Sequence, residues 1–252
     1  MSATPSSPVA VVTGATNGIG RAIVDVLVAD GYRIAAISRS AQGRAGWKSP
    51  NSSITAYNCD VGERSEALET IDRVTADHGR IDALINCAGN IIGQSLEGTT
   101  DSAVDAQFRV NFLGTLYFCQ ACLPHLRLSR GAIVNFSSLI TTRPVPGAAI
   151  YAATKGAVAA FSKVIANELA PAGIRVYVLS PSLVRSNIYM AGGMPDAEYA
   201  DLLEDWKARF PLGRVGEPMD VAPLVGFLLS RGAEWMTGNE IVIDGGRTIA
   251  LQ

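Results

Sequence analysis

The feature that most constrains this chain is a regular alternation of short apolar runs with longer segments of helical periodicity, sustained from residue 9 to residue 243. Val9 to Thr13, Arg33 to Ser38, Ile54 to Asn58, Ile81 to Asn86, Ala132 to Phe136, Ile174 to Leu179 and Glu240 to Ile243 have strand length and are largely apolar. Between them, Arg21 to Ala29, Glu63 to His78, Ser102 to Leu126, Ile150 to Leu169 and Met219 to Leu229 repeat apolar residues at helical spacing. Parallel strands need long crossovers, and strands apolar on both sides need cover on both faces. The pattern therefore predicts an α/β fold, a doubly wound parallel sheet of about seven strands with helices on both faces. Residues 9–252 are expected to form one domain behind a flexible tail at 1–8, and the polar segment Gln42 to Ser53 shows no helical period.

Composition narrows the function. With 17% charged residues, a net charge of -2 and no basic block, the chain lacks the electrostatic footprint of a nucleic-acid binder. The 25 glycines follow no Gly-X-Y period and point to tight turns. Met1 to Pro8 has no secretory pattern, and no stretch is expected to reach the roughly 18 apolar residues of a membrane span. Four cysteines are too sparse for a disulfide scaffold, which favours the cytoplasm. Cys119 and Cys122 form a C-x-x-C, but no second Cys or His pair has ligand spacing, and His78 and His125 stand alone. No metal site is expected, and the two thiols read as small residues on a buried helix.

Three groups of residues carry chemistry. Thr13-Gly14-Ala15-Thr16-Asn17-Gly18-Ile19-Gly20 lies between a strand and a helix start, where glycines allow a tight turn and the helix N-terminus attracts a pyrophosphate. Asn86-Cys87-Ala88-Gly89 is a second small-residue turn at the carboxyl end of a strand. Tyr151 and Lys155, four apart near a helix start, share one face, so that an ammonium stands beside a phenol and favours the phenolate. At the tip of the second strand, Ser38-Arg39 replaces the carboxylate that usually accepts from the ribose of NAD. A guanidinium there suits the 2'-phosphate of NADP, so NADP(H) is preferred and NAD(H) remains possible. Finally, Asn187 to Pro211 interrupts the alternation as a candidate substrate lid. Its Ile188, Tyr189, Met190, Met194, Tyr199 and Trp206 are interspersed with Asp196, Glu198, Asp201, Glu204 and Asp205.

From end to end the chain resembles a classical short-chain dehydrogenase/reductase, similar to 3-oxoacyl-[acyl-carrier-protein] reductase members. The family's T-G-x-x-x-G-x-G appears as Thr13 to Gly20, its N-N-A-G as Asn86 to Gly89, and its Y-x-x-x-K as Tyr151 to Lys155. Its catalytic Asn appears as Asn111 and its Ser as Ser138, 13 residues before Tyr151. The resemblance implies a single-domain Rossmann fold and an NAD(P)-dependent oxidoreductase that interconverts a ketone or 3-oxoacyl carbonyl and a secondary alcohol. Tyr151 is then the general acid/base, Lys155 its neighbour and a ribose contact, and Ser138 the holder of the substrate oxygen. Asn111, a poor helix former, opens the local ladder and holds a water. Cofactor contacts are implied for Gly14, Thr16, Asn17, Gly18, Ile19, Gly20, Asp60, Val61, Asn86, Ala88 and Gly89, and further for Pro181, Ser182, Val184 and Ser186. Cys87 replaces the second Asn of N-N-A-G and is expected to affect packing only. Ser182 stands where Gly is usual, although Ser is less free to take positive φ. The alternatives are an idle dinucleotide-sensing protein or a polyol or sugar dehydrogenase, while a nucleotide-sugar epimerase disagrees with the length and glycine spacing. The helices at Ser102 to Leu126 and Ile150 to Leu169 are too apolar all round for a monomer surface, and a homotetramer is implied, with Ile243-Asp244-Gly245-Gly246 at a second interface.

Overall fold

The structure, a computed structural model, describes residues 7–39 and 53–250. The tail expected before residue 7 and the segment from Gln42 up to residue 52 lie outside the described residues. Among the described residues seven strands form one all-parallel sheet in the order β3-β2-β1-β4-β5-β6-β7. They are β1 Val9–Thr13, β2 Arg33–Ser38, β3 Ile54–Asn58, β4 Ala83–Asn86, β5 Ala132–Phe136, β6 Arg175–Pro181 and β7 Glu240–Ile243. Side chains alternate across each strand and divide the core in two. Ala10, Val12, Ile34, Ala36 and Ile85 face α1 (Gly18–Ala29) and α8 (Pro218–Leu229), which bury Ile23, Leu27, Val221 and Val225 against them. Val11, Ala35, Ile37, Leu84 and Ile133 face the other layer, where α2 (Arg64–His78) contributes Ile71 and Val74. Each buried branched side chain contributes about 1.5–3 kcal/mol, so both layers are needed to hold the sheet. The doubly wound architecture expected from the strand pattern is borne out.

The chain winds outward from β1 in one direction through β2 and β3, then returns to lay β4 on the other side of β1. That reversal opens a crevice at the carboxyl ends of β1 and β4, where Thr13 and Asn86 stand side by side in register.

Local differences from the expected elements have local causes. Helix α1 starts three residues early, at Gly18. β4 starts at Ala83 rather than Ile81 because the preceding Asp82 carboxylate accepts from the Val9 amide at 2.8 Å. β6 runs on to Pro181 because Ser180 and Pro181 pair with Val242 and Ile243. The segment Ser102 to Leu126, expected as one helix, is instead α3 (Asp101–Phe108), a π-helical turn Arg109–Leu113, and α4 (Gly114–Ser129). Across the turn the Gly114 amide donates to the Arg109 carbonyl, one residue further than an α-helix allows.

Helix α5 (Ala149–Leu169) corrects another expectation. Together with the 3-10 turn to Ala172 it is long and apolar enough to cross a membrane by length and composition, and a third of it is buried. Here it packs along β5 and β6, with Val158, Ala159 and Ala166 buried, and its first two turns carry Tyr151 and Lys155. The lid segment holds α6 (Ile188–Ala191) and α7 (Asp196–Lys207) over a small core of Leu183, Tyr199, Leu203, Phe210 and Val215.

Candidate active site

The turn after β1 is built on close backbone approach. Gly14 has φ +67°, and a Cβ there would sit 2.8 Å from the Ala88 Cα; a Cβ on Gly20 would lie 2.3 Å from the Gly14 carbonyl oxygen. Any larger residue would push the turn off the β4 end, and the Ala88 amide fixes that approach by donating to Thr13 Oγ1 at 3.1 Å. The N-cap residue of α1, Asn17, makes no side-chain cap bond, and the first turn carries no acidic residue. The leading amides of α1 thus face a cleft of about 490 Å³ with the positive end of the helix dipole behind them.

Gly14, Thr16, Asn17, Gly18, Ile19 and Gly20 line that cleft on one side. Ser38 and the exposed Arg39 stand at the tip of β2, and Asp60, Val61, Ala88, Gly89 and Ser186 complete the wall. Asp60 is held in place by its own carboxylate, which accepts from the Gly62 amide at 3.0 Å. A glycine cradle, an uncapped helix N-terminus and a cation at the second strand are the groups a dinucleotide needs, and they fit one here.

A smaller cleft of about 200 Å³ adjoins the first, and the two share Ile19, Cys87, Gly89, Ser186 and Ile188. Its wall brings together Ser138, Tyr151 and Lys155 with Pro181, Ser182 and Val184. Ser138 ends β5 and caps the short 3-10 turn Leu139–Thr141, its Oγ accepting from the Ile140 amide at 3.3 Å. The neighbouring Ser137 hydroxyl donates to the Lys155 carbonyl at 3.0 Å, which ties the start of α5 to the end of β5. Lys155 is buried; its ammonium donates to the Phe136 carbonyl at 2.8 Å and lies 5.7 Å from the centroid of the Tyr151 ring.

Burial sets the titration of this pair. It brings the Lys155 ammonium down to about 8, with the nearby Cys87 acting the other way. Burial also holds the Tyr151 phenol above its ordinary value, reinforced by Tyr189 and opposed by its hydrogen bond with Ser138. The expected phenolate is thus corrected: desolvation outweighs the ammonium, and Tyr151 carries its proton at neutral pH.

Asn111 and Asn86 lie behind the clefts rather than on their walls. Asn111 is buried in the π-helical turn. Its Oδ1 accepts from the Asn90 amide at 2.8 Å, and its Nδ2 donates to the Asn90 carbonyl at 2.9 Å and to Thr154 Oγ1 at 3.1 Å. Thr154 in turn donates to the Tyr151 carbonyl at 2.7 Å, so Asn111 joins the loop after β4 to the turn that carries Tyr151. Asn86 donates to Asn135 Oδ1 at 2.9 Å beneath the sheet's carboxyl edge, and Asn135 donates to Ser162 on α5 at 2.9 Å.

Three expectations about individual residues change. Cys87 does more than pack: it lines both clefts, with burial pushing its thiol up to about 12. Ser182 needs no left-handed backbone, because among the described residues Arg130 alone has positive φ outside glycine; the Ser182 amide simply donates to the Ile243 carbonyl at 2.9 Å. In the lid, Tyr199 is buried and its hydroxyl accepts from the Ser186 amide at 2.9 Å, whereas Ile188, Tyr189 and Trp206 face the smaller cleft and Met190 the larger. Arg143, Arg209 and Arg247 also line the smaller cleft and are absent from the residues expected there; separated by 38 or more residues, they share no spacing signal. Cys119 and Cys122 are buried free thiols, both pushed up by burial.

Known proteins match this arrangement over nearly the whole chain. The family model described as enoyl-(acyl carrier protein) reductase matches residues 14–248. An uncharacterized oxidoreductase of Methylorubrum extorquens is 39% identical, covering 94% of this chain and 96% of its own. The 3-oxoacyl-[acyl-carrier-protein] reductase of Homo sapiens is 33% identical, covering 96% and 99%. Among solved structures, the 3-ketoacyl-(acyl-carrier-protein) reductase of Brucella melitensis complexed with NADH superposes with a TM-score of 0.87 at 27% identity, covering 97% of this chain and 100% of the other. The ligand-free aldohexose dehydrogenase of Thermoplasma acidophilum gives 0.86 at 29% identity, covering 97% and 95%.

Proposed function

The chain belongs to the classical short-chain dehydrogenase/reductase family, and on that premise we propose that it reduces a ketone of the 3-oxoacyl type to a secondary alcohol, with Tyr151 as the proton donor and NADPH as the preferred cofactor. As a member of the family it is an NAD(P)-dependent oxidoreductase acting on CH–OH groups. The observation that carries the finer reading is the convergence of Ser138, Tyr151 and Lys155 on a small cleft that opens into the glycine-walled one.

The turn Gly14 to Gly20 and the N-terminus of α1 would hold the pyrophosphate. Ser38 and Arg39 would take a ribose 2'-phosphate, with Asp60 and Val61 at the adenine. Ala88, Gly89, Pro181, Ser182, Val184 and Ser186 would hold the nicotinamide half. When bound, the nicotinamide supplies the hydride. The chain supplies the rest. Ser138 orients the carbonyl oxygen, and Tyr151, protonated at neutral pH, gives its proton to that oxygen as charge builds on it. The buried ammonium of Lys155 stabilises the phenolate left behind. Asn111 acts through Asn90 and Thr154 as a positioning residue. The lid at 187–211 closes over the substrate, and the four free thiols suit a reducing cytoplasm.

A homotetramer is the proposed assembly. Leu68, Leu128 and Val164 stay exposed on the α2, α4 and α5 side, and Val242 and Ile249 beside the edge strand β7. The test of the reaction is a turnover assay of purified protein with NADPH and NADH against ketones, 3-oxoacyl thioesters and polyols. NADPH-dependent ketone reduction is expected; turnover of polyols alone, or none with either cofactor, overturns the reading.

A further inference from the structure

We propose that the substrate carries an anionic group, a carboxylate or a phosphate, a few bonds from the reacting carbonyl, and that Arg209 and Arg247 bind it while Arg143 anchors the segment that presents Arg247. The proposal deepens the reading of the smaller cleft as the carbonyl site and rests on it. Three guanidinium groups from distant parts of the chain line that cleft together with Ser138, Tyr151 and Lys155, and its wall contains no Asp or Glu among the described residues. In a chain of net charge -2 such a wall goes against the average, and an anionic ligand is the complement that its field attracts.

The acidic residues nearby are sorted to the other side. Asp196, Glu198, Asp201, Glu204 and Asp205 of α7 are all exposed and none lines the cleft; Glu204 pairs with Lys207 on the same helix. Arg209, just beyond α7, lies over the Trp206 ring at 5.0 Å and makes no ion pair among the described residues. The indole holds the guanidinium flat at the cleft mouth and leaves its edge for a planar anion. Arg143 donates through Nη2 to the carbonyls of Thr248 and of Ala250, the latter at 3.0 Å, so it fixes the chain just past Arg247. At about 200 Å³ the cleft falls below the roughly 300–1,000 Å³ of sites for drug-sized ligands, which favours a short oxo acid or oxo phosphate over a long acyl chain.

Two measurements test this. The first is steady-state reduction of matched ketones: acetoacetate against methyl acetoacetate, and dihydroxyacetone phosphate against dihydroxyacetone. The anionic member of at least one pair should have a kcat/KM tenfold or more above its neutral partner. In Arg209→Gln and Arg247→Gln that advantage should collapse through KM, with the neutral ketone little changed. The pair that shows the effect identifies carboxylate or phosphate. A neutral partner used as well as both anions overturns the proposal.

The second is calorimetric titration of the parent, loaded with NADPH, with malonate and with methyl phosphate. Binding by one of them, at least fivefold weaker in Arg247→Gln, is expected; binding of neither overturns the proposal even if neutral ketones are reduced. Anion binding without reduction of any carbonyl would instead leave the arginine site standing and remove the reaction assigned to the cleft.

Discussion

Replacing Lys155 by Met removes the buried ammonium and keeps most of the side-chain volume, so stability and turnover should move in opposite directions. A lysine whose pKa falls from 10.5 to about 8 carries, in its charged form at neutral pH, a folding penalty of about 3 kcal/mol. The substitution abolishes that penalty but orphans the Phe136 carbonyl, which accepts from Nζ at 2.8 Å, at a cost of about 1–2 kcal/mol. At pH 6.5 the variant should therefore be more stable than the parent by about 1–2 kcal/mol while turning over hardly any substrate.

The sign with pH comes from proton counting. Between pH 8 and 10.5 the unfolded parent still holds the lysine proton and the folded parent has lost it, so parental stability rises with pH across that window. The variant lacks this rise. Its advantage should shrink by about 2 kcal/mol between pH 6.5 and pH 9.5. Urea denaturation monitored by circular dichroism, at one protein concentration and without added dinucleotide, measures both values. A stability difference that stays the same at the two pH values refutes the reasoning, because the buried charge would then not be its source.

Tyr151→Phe deletes the proton and keeps the ring, so turnover should fall by at least about a hundredfold while NADPH binding, titrated by fluorescence, stays within a few fold; steady-state rates within tenfold of the parent would contradict it. Asn111→Leu leaves both backbone groups of Asn90 without their side-chain partner and should cost about 2–4 kcal/mol in urea denaturation, a loss under about 1 kcal/mol counting against the positioning role. Ser38→Asp combined with Arg39→Ala should move preference towards NADH, chiefly through the KM for NADPH, and a parent that already uses NADH with the higher specificity constant means that Arg39 has been misread. Light scattering should give a tetramer, whereas a stable monomer at micromolar concentration excludes the proposed assembly.

Much of this molecule is written in local pattern. Period-two and period-3.6 runs locate the strands and most helices because burial on the sheet enforces them, and the Gly14 to Gly20 turn declares itself because no other residue tolerates its contacts. The π-helical turn escapes such a reading: one extra residue leaves a helix apolar on the same broad face, and only the Gly114 to Arg109 bond exposes it. The protonation of Tyr151 escapes as well, since sequence spacing places the ammonium but not the depth of burial that outweighs it. Nor does any motif connect Arg143, Arg209 and Arg247, which meet only because the chain after β5, α7 and β7 ends at the same edge of the sheet.

The wide turn at Arg109–Leu113 sets the phase of everything beyond it. Each helical residue advances the chain by about 100° around the axis, so the one surplus residue in that turn is absorbed locally instead of being passed on to α4. Deleting a single residue there would restore a regular ladder and rotate Phe118, Cys119 and Cys122 away from the strands they now cover. Inserting one would rotate them the other way. Insertions and deletions should accordingly be tolerated in the loops flanking α3 to α4 but not within this helix, even though its solvent side accepts substitutions freely.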